Sequence, residues 1–307
     1  MSTDLLALDP AVSDDSFVDA AHRIHHAAFQ TDRLDPVRLA AATRLPVRSS
    51  RLLAPQPRQF TVRSCDDGNQ VVHVVEADAA LYIEFDLPAG SRYRVTAERP
   101  EGLMVNHEPA VIGAVVDLPM GGPLRIASRG RFELAIVTRH PAQHADDKPP
   151  AGMVPLSTEG DGPQQVRRLL DQARLLWTTT PSPARRPASS SHVLDVVEQV
   201  LGQQPYGVLH PSDFATPAGI SVRSLERAMQ KAYGMGPKRW ITATRLNTAH
   251  QHLSRPGADD RTVAQIARRC GFQHAGRFSQ AYRALFGDYP HDVLVPSAPG
   301  AGSERSA

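Results

Sequence analysis

The chain has 307 residues, 41% of them hydrophobic, with 34 Lys and Arg against 32 Asp and Glu. That length favours two domains, and the apolar content is enough for packed cores. No apolar run approaches the ~18 residues of a membrane span, no basic-then-apolar leader opens the chain, and Cys65 and Cys270 make neither a disulfide framework nor a metal site. A cytoplasmic protein without cofactor, bound metal or membrane contact is therefore expected.

The first residues, to about 13, read as frayed. A helix is expected over residues 14–29, where Phe17, Ala20, Ala21, Ile24 and Ala28 share one stripe. His22, His25 and His26 fall on its other side. His22 and His26 sit one turn apart, the spacing of a metal pair, but no third ligand accompanies them and a solvated polar face explains them as well.

From Arg58 to Arg139 the period changes to two. RQFTVRS, VVHVVEA, ALYIEFDL, SRYRVTAE, AVIGAVVDL and FELAIVTR are β-branched or alternating runs, punctuated by Asp67-Gly68-Asn69, Pro88-Ala89-Gly90 and Gly121-Gly122-Pro123. That pattern predicts an all-β barrel or sandwich, and small barrels can enclose a ligand. A cupin-type metal site needs clustered ligands, whereas His73, His107, Glu108 and His140 stand singly. A metal-free pocket or a filled core fits better than metal catalysis. Glu76, Glu84, Asp86, Glu98, Asp117 and Glu133 alternate with apolar neighbours and are expected to face solvent. No nucleophile elbow, phosphate loop or dinucleotide fingerprint is present, so no enzyme activity is expected.

After a loop over residues 146–162, a helix is expected over 163–177. Val166, Leu169, Leu170, Ala173, Leu176 and Trp177 line one face, with Arg167, Arg168, Asp171 and Arg174 opposite. That apolar face can pack on the barrel or join two copies in a homodimer. Residues 178–191, TTTPSPARRPASSS, read as an interdomain linker. Helix resumes at His192 with Val193, Val196, Val197, Val200 and Leu201 as its stripe, and the tail from Pro296 is expected to be disordered. From Arg185 onward there are 15 basic against 9 acidic residues, while the remainder carries 19 against 23. The C-terminal part is thus the one suited to phosphate contact.

Within it, residues 262–290 predict two helices around a tight turn. Val263, Ile266 and Ala267 share a face of the first, and Gly271 supplies a left-handed position. Phe272 follows as an apolar plug. Phe278, Ala281, Tyr282 and Leu285 then take the i, i+3, i+4, i+7 spacing of a buried stripe. The other face shows donors, as in a DNA-reading helix-turn-helix. An earlier copy exists. Phe214-Ala215…Gly219-Ile220 matches Ile266-Ala267…Gly271-Phe272 at an offset of 52, and Leu225, Arg227 and Met229 match Phe278, Gln280 and Tyr282 at an offset of 53. Gly234-Met235-Gly236-Pro237 matches Gly287-Asp288-Tyr289-Pro290. Residues 238–253 form a helical spacer of ~24 Å, suited to holding two reading helices roughly 34 Å apart, one turn of B-DNA.

Residues 192–295 resemble the DNA-binding domain of the AraC/XylS family of transcription regulators. The resemblance rests on Ala215…Gly219-Ile220-Ser221…Leu225-Glu226-Arg227, on Arg245-Leu246-x-x-Ala249, and on Ile266-Ala267…Gly271-Phe272…Phe278-Ser279…Tyr282-Arg283…Phe286-Gly287-x-x-Pro290. The β region is more diffusely similar to the AraC-binding-like sensor domains. The resemblance implies an α+β two-domain chain: an N-terminal β-barrel or cupin-like domain with flanking helices (14–177) for effector sensing and dimerisation, a linker (178–191), an all-α domain with two helix-turn-helix subdomains on a linker helix (192–295), and a tail (296–307). It implies a transcription activator with double-stranded DNA, RNA polymerase and a small-molecule effector as partners. Two other readings remain, a constitutive DNA-binding dimer with a non-sensing β domain and a cupin-like metal enzyme.

The candidate DNA-binding residues of the first copy are Arg223, Ser224, Glu226, Arg227 and Lys231, with Lys238 at the spacer's start. Arg223 and Arg227, one turn apart, suit guanine, and Glu226 can accept from cytosine or orient an arginine. The second copy offers Gln273, His274, Gly276, Arg277, Gln280 and Arg283, with Gln280 suited to adenine. Many such side chains touch phosphate or solvent instead. The family commonly has a basic residue at the position of Gln280 and a Ser or aromatic pair at Gly276-Arg277, and Pro217 is unusual so late in a helix. Cys270 is expected as a small buried hydrophobe, and His250 and His252 as exposed.

Overall fold

The computed structural model describes residues 24–30, 39–40, 43, 45–55, 59–66, 70–89, 92–99, 102–118, 122–139, 154–155, 171, 175, 178, 181, 189–204, 209–254 and 262–294. Ten strands make one sheet: β1 (Ile24–Gln30), β2 (Val47–Leu52), β3 (Gln59–Asp66), β4 (Gln70–Asp86), β5 (Arg92–Arg99), β6 (Met104–Val105), β7 (Glu108–Pro109), β8 (Val115–Leu118), β9 (Pro123–Arg139) and β10 (Val154–Pro155). Their order is β10-β1-β3-β4-β9-β5-β8, with β2 on β4 and the β6–β7 hairpin on β9. The named pairings are antiparallel, and among the described residues β10 and β8 end the path without closing on each other. The α+β class stands. The cupin-like closure does not appear in the strand pairing.

The spine is the pair β4 and β9, 17 residues each, in register from Gln70 against Arg139 to Asp86 against Pro123. VVHVVEA and ALYIEFDL are halves of this one strand, because Asp78 and Ala79 between them keep pairing with Arg131 and Gly130. β4 is buried on both faces, unlike a strand with one wet side. Leu81, Ile83 and Phe85 enter one apolar cluster with Phe60, Val62 and Phe132, while Ala80 and Tyr82 enter another.

Residues 24–30 correct the expected helix. They are a strand, paired with β3 from Ile24 against Cys65 to Gln30 against Gln59. The helical stripe was a coincidence of small residues, and a ladder of long-range hydrogen bonds outweighs local periodicity. His25 and His26 are consecutive in that strand, and His22, paired with His26 in the expected helix, lies outside the described residues. Residues 14–23 lie outside the described residues. So do most of 163–177, of which Asp171 and Leu175 are helical, most of the 178–191 linker, and the tail.

Among the described residues from 189 onward seven helices follow: α1 (Ser189–Gln203), α2 (Pro211–Ala215), α3 (Val222–Tyr233), α4 (Pro237–Leu253), α5 (Val263–Arg269), α6 (Ala275–Phe286) and α7 (Pro290–Val293). α1 starts three residues ahead of His192. Val193, Leu194, Val197 and Leu201 of α1 pack with Phe214, Leu225, Met229 and Trp240, and this cluster continues onto the sheet through Leu53, Ala80, Tyr82, Met104 and Ala127. Leu246, Ala249 and Leu253 of α4 join Ile266, Phe278, Tyr282 and Phe286. No helix among the described residues is long and apolar enough to cross a membrane.

Candidate nucleic-acid interface

The two copies match in backbone detail. Gly219 and Gly271 both have positive φ, 66° and 81°. The first helix of each copy is closed in the same way: Gly219 N–H donates to Thr216 O at 3.1 Å and Ile220 N–H to Ala215 O at 3.0 Å, while Gly271 donates to Arg268 O at 3.0 Å and Phe272 to Ala267 O at 2.9 Å. The second helices of the two copies, α3 and α6, have 12 residues each and end on left-handed Gly234 and Gly287. Pro217 loses no helical bond, because α2 ends at Ala215 and the proline lies in the turn.

The starts differ. Ser221 caps α3, its Oγ accepting from Ser224 N–H at 3.1 Å. His274 precedes α6 with no side-chain cap. In the second copy the capping sits one helix earlier, where Thr262 and Gln265 cap α5 reciprocally.

Leu225, Met229, Ala232 and Tyr233 bury one face of α3; Arg223, Glu226, Arg227, Gln230 and Lys231 are exposed on the other. Phe278, Tyr282, Leu285 and Phe286 do the same for α6, leaving Gln273, His274, Gly276, Arg277, Gln280 and Arg283 exposed. Lys238 is exposed at the start of α4, beside Arg239. Two candidates are engaged within the protein. Ser224 is half-buried with its Oγ 3.0 Å from Ser221 Oγ. The guanidinium of Arg283 donates to Tyr289 Oη at 2.5 Å and lies 4.5 Å from the centre of that ring. Arg239 and Arg268, exposed beside the two readers, were not singled out from the sequence; their signal was only the basic dipeptides at 238–239 and 268–269.

Cys270 is fully buried, and burial pushes its thiol up to about 11 against the opposing charges of Arg269 and Arg245. The expected exposure of His250 and His252 needs correction. Both are half-buried, and His250 has Nδ1 2.6 Å from Tyr282 Oη and its ring stacked 4.5 Å from that of Phe286. It therefore helps dock α6 on the linker helix. The aromatic stripe of α6 supplies its partners, which spacing within α4 alone does not show.

These two donor faces on matched helix-turn-helix units agree with the comparison to known proteins. Residues 214–294 match the helix-turn-helix domain family. The segment is an AraC/XylS-type helix-turn-helix domain. It is 39% identical over 77 residues to the XylDLEGF operon transcriptional activator of Pseudomonas putida, covering 25% of this chain and 24% of that protein. It is 33% identical over 79 residues to the HTH-type transcriptional regulator ExsA of Pseudomonas aeruginosa, covering 26% and 27%. The chain thus spans about a quarter of the length of the curated relatives it matches. A solved AraC-type regulator from Chromobacterium violaceum is 27% identical, covering 33% of this chain and 90% of that one, with a TM-score of 0.30.

Behind the first reader of this AraC-type domain lies a buried polar seam with the sheet. Arg51 donates to Glu198 of α1 at 2.7 Å, and its guanidinium carbon lies 5.0 Å from the Tyr82 ring centre and 5.7 Å from that of Trp240. Burial opposes the arginine's charge, but Glu198 and its neighbours outweigh it and raise its pKa. Tyr233 stacks on Trp240 at 4.1 Å, and burial, then the charge of Glu198, holds the Tyr82 and Tyr233 hydroxyls well above the ordinary range. Glu84, expected to face solvent, is buried and accepts from Arg125 Nε at 3.2 Å. Helices cover that face of β4, so Glu84 is paired rather than wetted.

Two further single histidines of the β region are also placed. His73 is buried with Nδ1 2.7 Å from Ser64 Oγ. His107 sits with Asn106 at the tip of the β6–β7 hairpin, both at positive φ as a two-residue hairpin turn requires. Its Nδ1 is 3.2 Å from Tyr233 Oη and its Nε2 3.3 Å from Asp195 Oδ1. Burial raises the pKa of Asp195, but His107, then Arg125 and His192, outweigh it and hold the carboxyl below its ordinary range. Among the described residues no three His, Cys, Asp or Glu gather to hold a metal ion.

Proposed function

We propose that the protein is a DNA-binding transcription regulator of the activating kind, reading two adjacent major-groove segments with α3 and α6. The observation that carries this is the pair of matched reading helices, each with its apolar face buried and its donor face open. Arg223, Arg227, Arg277 and Gln280 are the base readers of this proposal; Glu226 orients or accepts, and Lys231, Lys238, Gln273, His274 and Arg283 serve the backbone. Gly276, exposed and without a side chain, lets the second reader approach the duplex closely. Activation makes RNA polymerase a partner.

A small-molecule effector is part of the proposal, supported by a cleft of about 890 Å3 between β2, β4 and β9 and helices α1 and α4. Arg48, Arg51 and Arg125 face Glu84, Asp195 and Glu198 across it, so the charges balance. Ser49 Oγ, Glu198 Oε1 and Thr244 Oγ1, all lining it, are buried without a hydrogen-bond partner among the described residues. A compact neutral molecule carrying hydroxyl or amide donors meets those needs. Because the walls come from both the sheet and the helices, such a ligand would favour one arrangement of the two over others.

Binding-site selection with the full chain, with and without extracted metabolites, tests this. We expect one discrete site of two half-sites. Arg227→Ala and Gln280→Ala should each lose on the order of tenfold affinity and relax preference at a different half-site. Binding that falls steeply with salt yet shows no preference among duplexes would sink the proposal.

A further inference from the structure

We infer that Arg129, on β9 of the sheet, is a positioning residue for the first reading helix. The proposal rests on the DNA-binding reading above. A helix leaves its last four carbonyls without intrahelical partners, and in α3 two of these are met from outside the helical unit. The Arg129 Nη2 donates to Gln230 O at 3.4 Å and to Lys231 O. Gly234 N–H also donates to Gln230 O, at 3.0 Å, so the cap glycine and the arginine close the same turn together.

The slot for that side chain is made of two glycines. A Cβ on Gly102 would lie 3.1 Å from Arg129 Cβ, and one on Gly234 would lie 3.2 Å from its Cδ and 3.3 Å from its Nε. Both glycines are left-handed, with φ of 69° and 71°. Arg129 is exposed and makes no ion pair with a carboxylate among the described residues, so its charge is directed at the negative end of α3. The neighbouring turn is fixed as well, by the Tyr233 hydroxyl against His107.

None of this covers the reading face. Arg223, Glu226, Arg227 and Gln230 stay exposed while the helix is held from its rear and its C-terminus. The contact therefore sets the angle of the reader instead of masking it. The second reader is finished within its own unit, where Gly287 closes the helix and Arg283 lies over Tyr289.

The test uses the full chain, Arg129→Ala and Arg129→Lys. The probes are the selected duplex and two versions with one half-site scrambled. The half-site read by α3 is the one whose scrambling removes sensitivity to Arg227→Ala. Arg129→Ala should bind the intact site about five- to tenfold more weakly, with Arg129→Lys keeping most of the affinity because a cation remains at the helix end. On the duplex lacking the α3 half-site, wild type and Arg129→Ala should bind equally. Hydrogen exchange in peptides spanning residues 227–236 should quicken in Arg129→Ala without DNA present. Equal losses on both scrambled duplexes, or no loss on the intact one, overturn the positioning role. Unchanged exchange over 227–236 overturns the cap itself, whatever the DNA result. A wild-type chain that selects no duplex sinks the DNA-binding reading, whereas a selecting wild type with an indifferent Arg129→Ala sinks this inference alone.

Discussion

Gly219 and Gly271 hold the same place in the two copies, yet they meet different neighbours. Both are left-handed, so any side chain there strains the backbone by about 1 kcal/mol. At Gly219 a Cβ would have open space; at Gly271 it would lie 3.1 Å from Arg245 Cζ and Nε. Gly219→Ala should therefore cost about 1 kcal/mol in urea unfolding, and Gly271→Ala about 2 kcal/mol, because Arg245 must also move. Equal losses would show that Arg245 yields freely. The need for glycine was legible from the repeat. Its tighter version was not, because Arg245 lies 26 positions away on the linker helix.

α4 lies between the two helix-turn-helix units and also anchors them to the sheet. The side chain of Asn247 takes both outward backbone groups of Leu52: Leu52 N–H donates to Asn247 Oδ1 at 2.8 Å, and Asn247 Nδ2 donates to Leu52 O at 2.8 Å. It thus completes β2 as a neighbouring strand would, and Nδ2 also reaches Ala243 O at 2.8 Å. Asn247→Ala should leave the edge groups of Leu52 unpaired and cost about 2 kcal/mol in urea unfolding. A loss below about 0.5 kcal/mol, the usual surface value, would show that water takes over those bonds. The helix itself could be read from Trp240, Ile241, Leu246, Ala249 and Leu253, all buried as expected. Its second role could not, since an asparagine in a spacer carries no periodic signal. The same limit explains residues 24–30, whose strand character comes from a partner 29 to 41 positions on.

At the scale of the whole molecule, the sequence reads as a β region and a helical region joined by a polar linker, and the structure packs the two regions against each other. What hid the contact is its chemistry. Arg51, Glu84, Arg125, Asp195 and Glu198 look like solvent-facing charges on strands and a helix, and only their juxtaposition pairs them. Arg51 with Glu198 is the deepest of these pairs, with side chains 10% and 3% exposed. Burying such a pair repays little by itself, but removing one partner strands the other. Glu198→Ala should therefore cost about 3–5 kcal/mol, leaving a buried guanidinium without its hydrogen-bonded carboxylate. Replacing both, as Arg51→Met with Glu198→Leu, should recover part of that loss, since neither charge is then left without the other. Chemical unfolding of the wild type, Arg51→Met, Glu198→Leu and the double variant measures the coupling. Additive losses in the double variant would mean that the two charges do not meet across the seam, and that the helical unit is not held on the sheet in the way the buried pair requires.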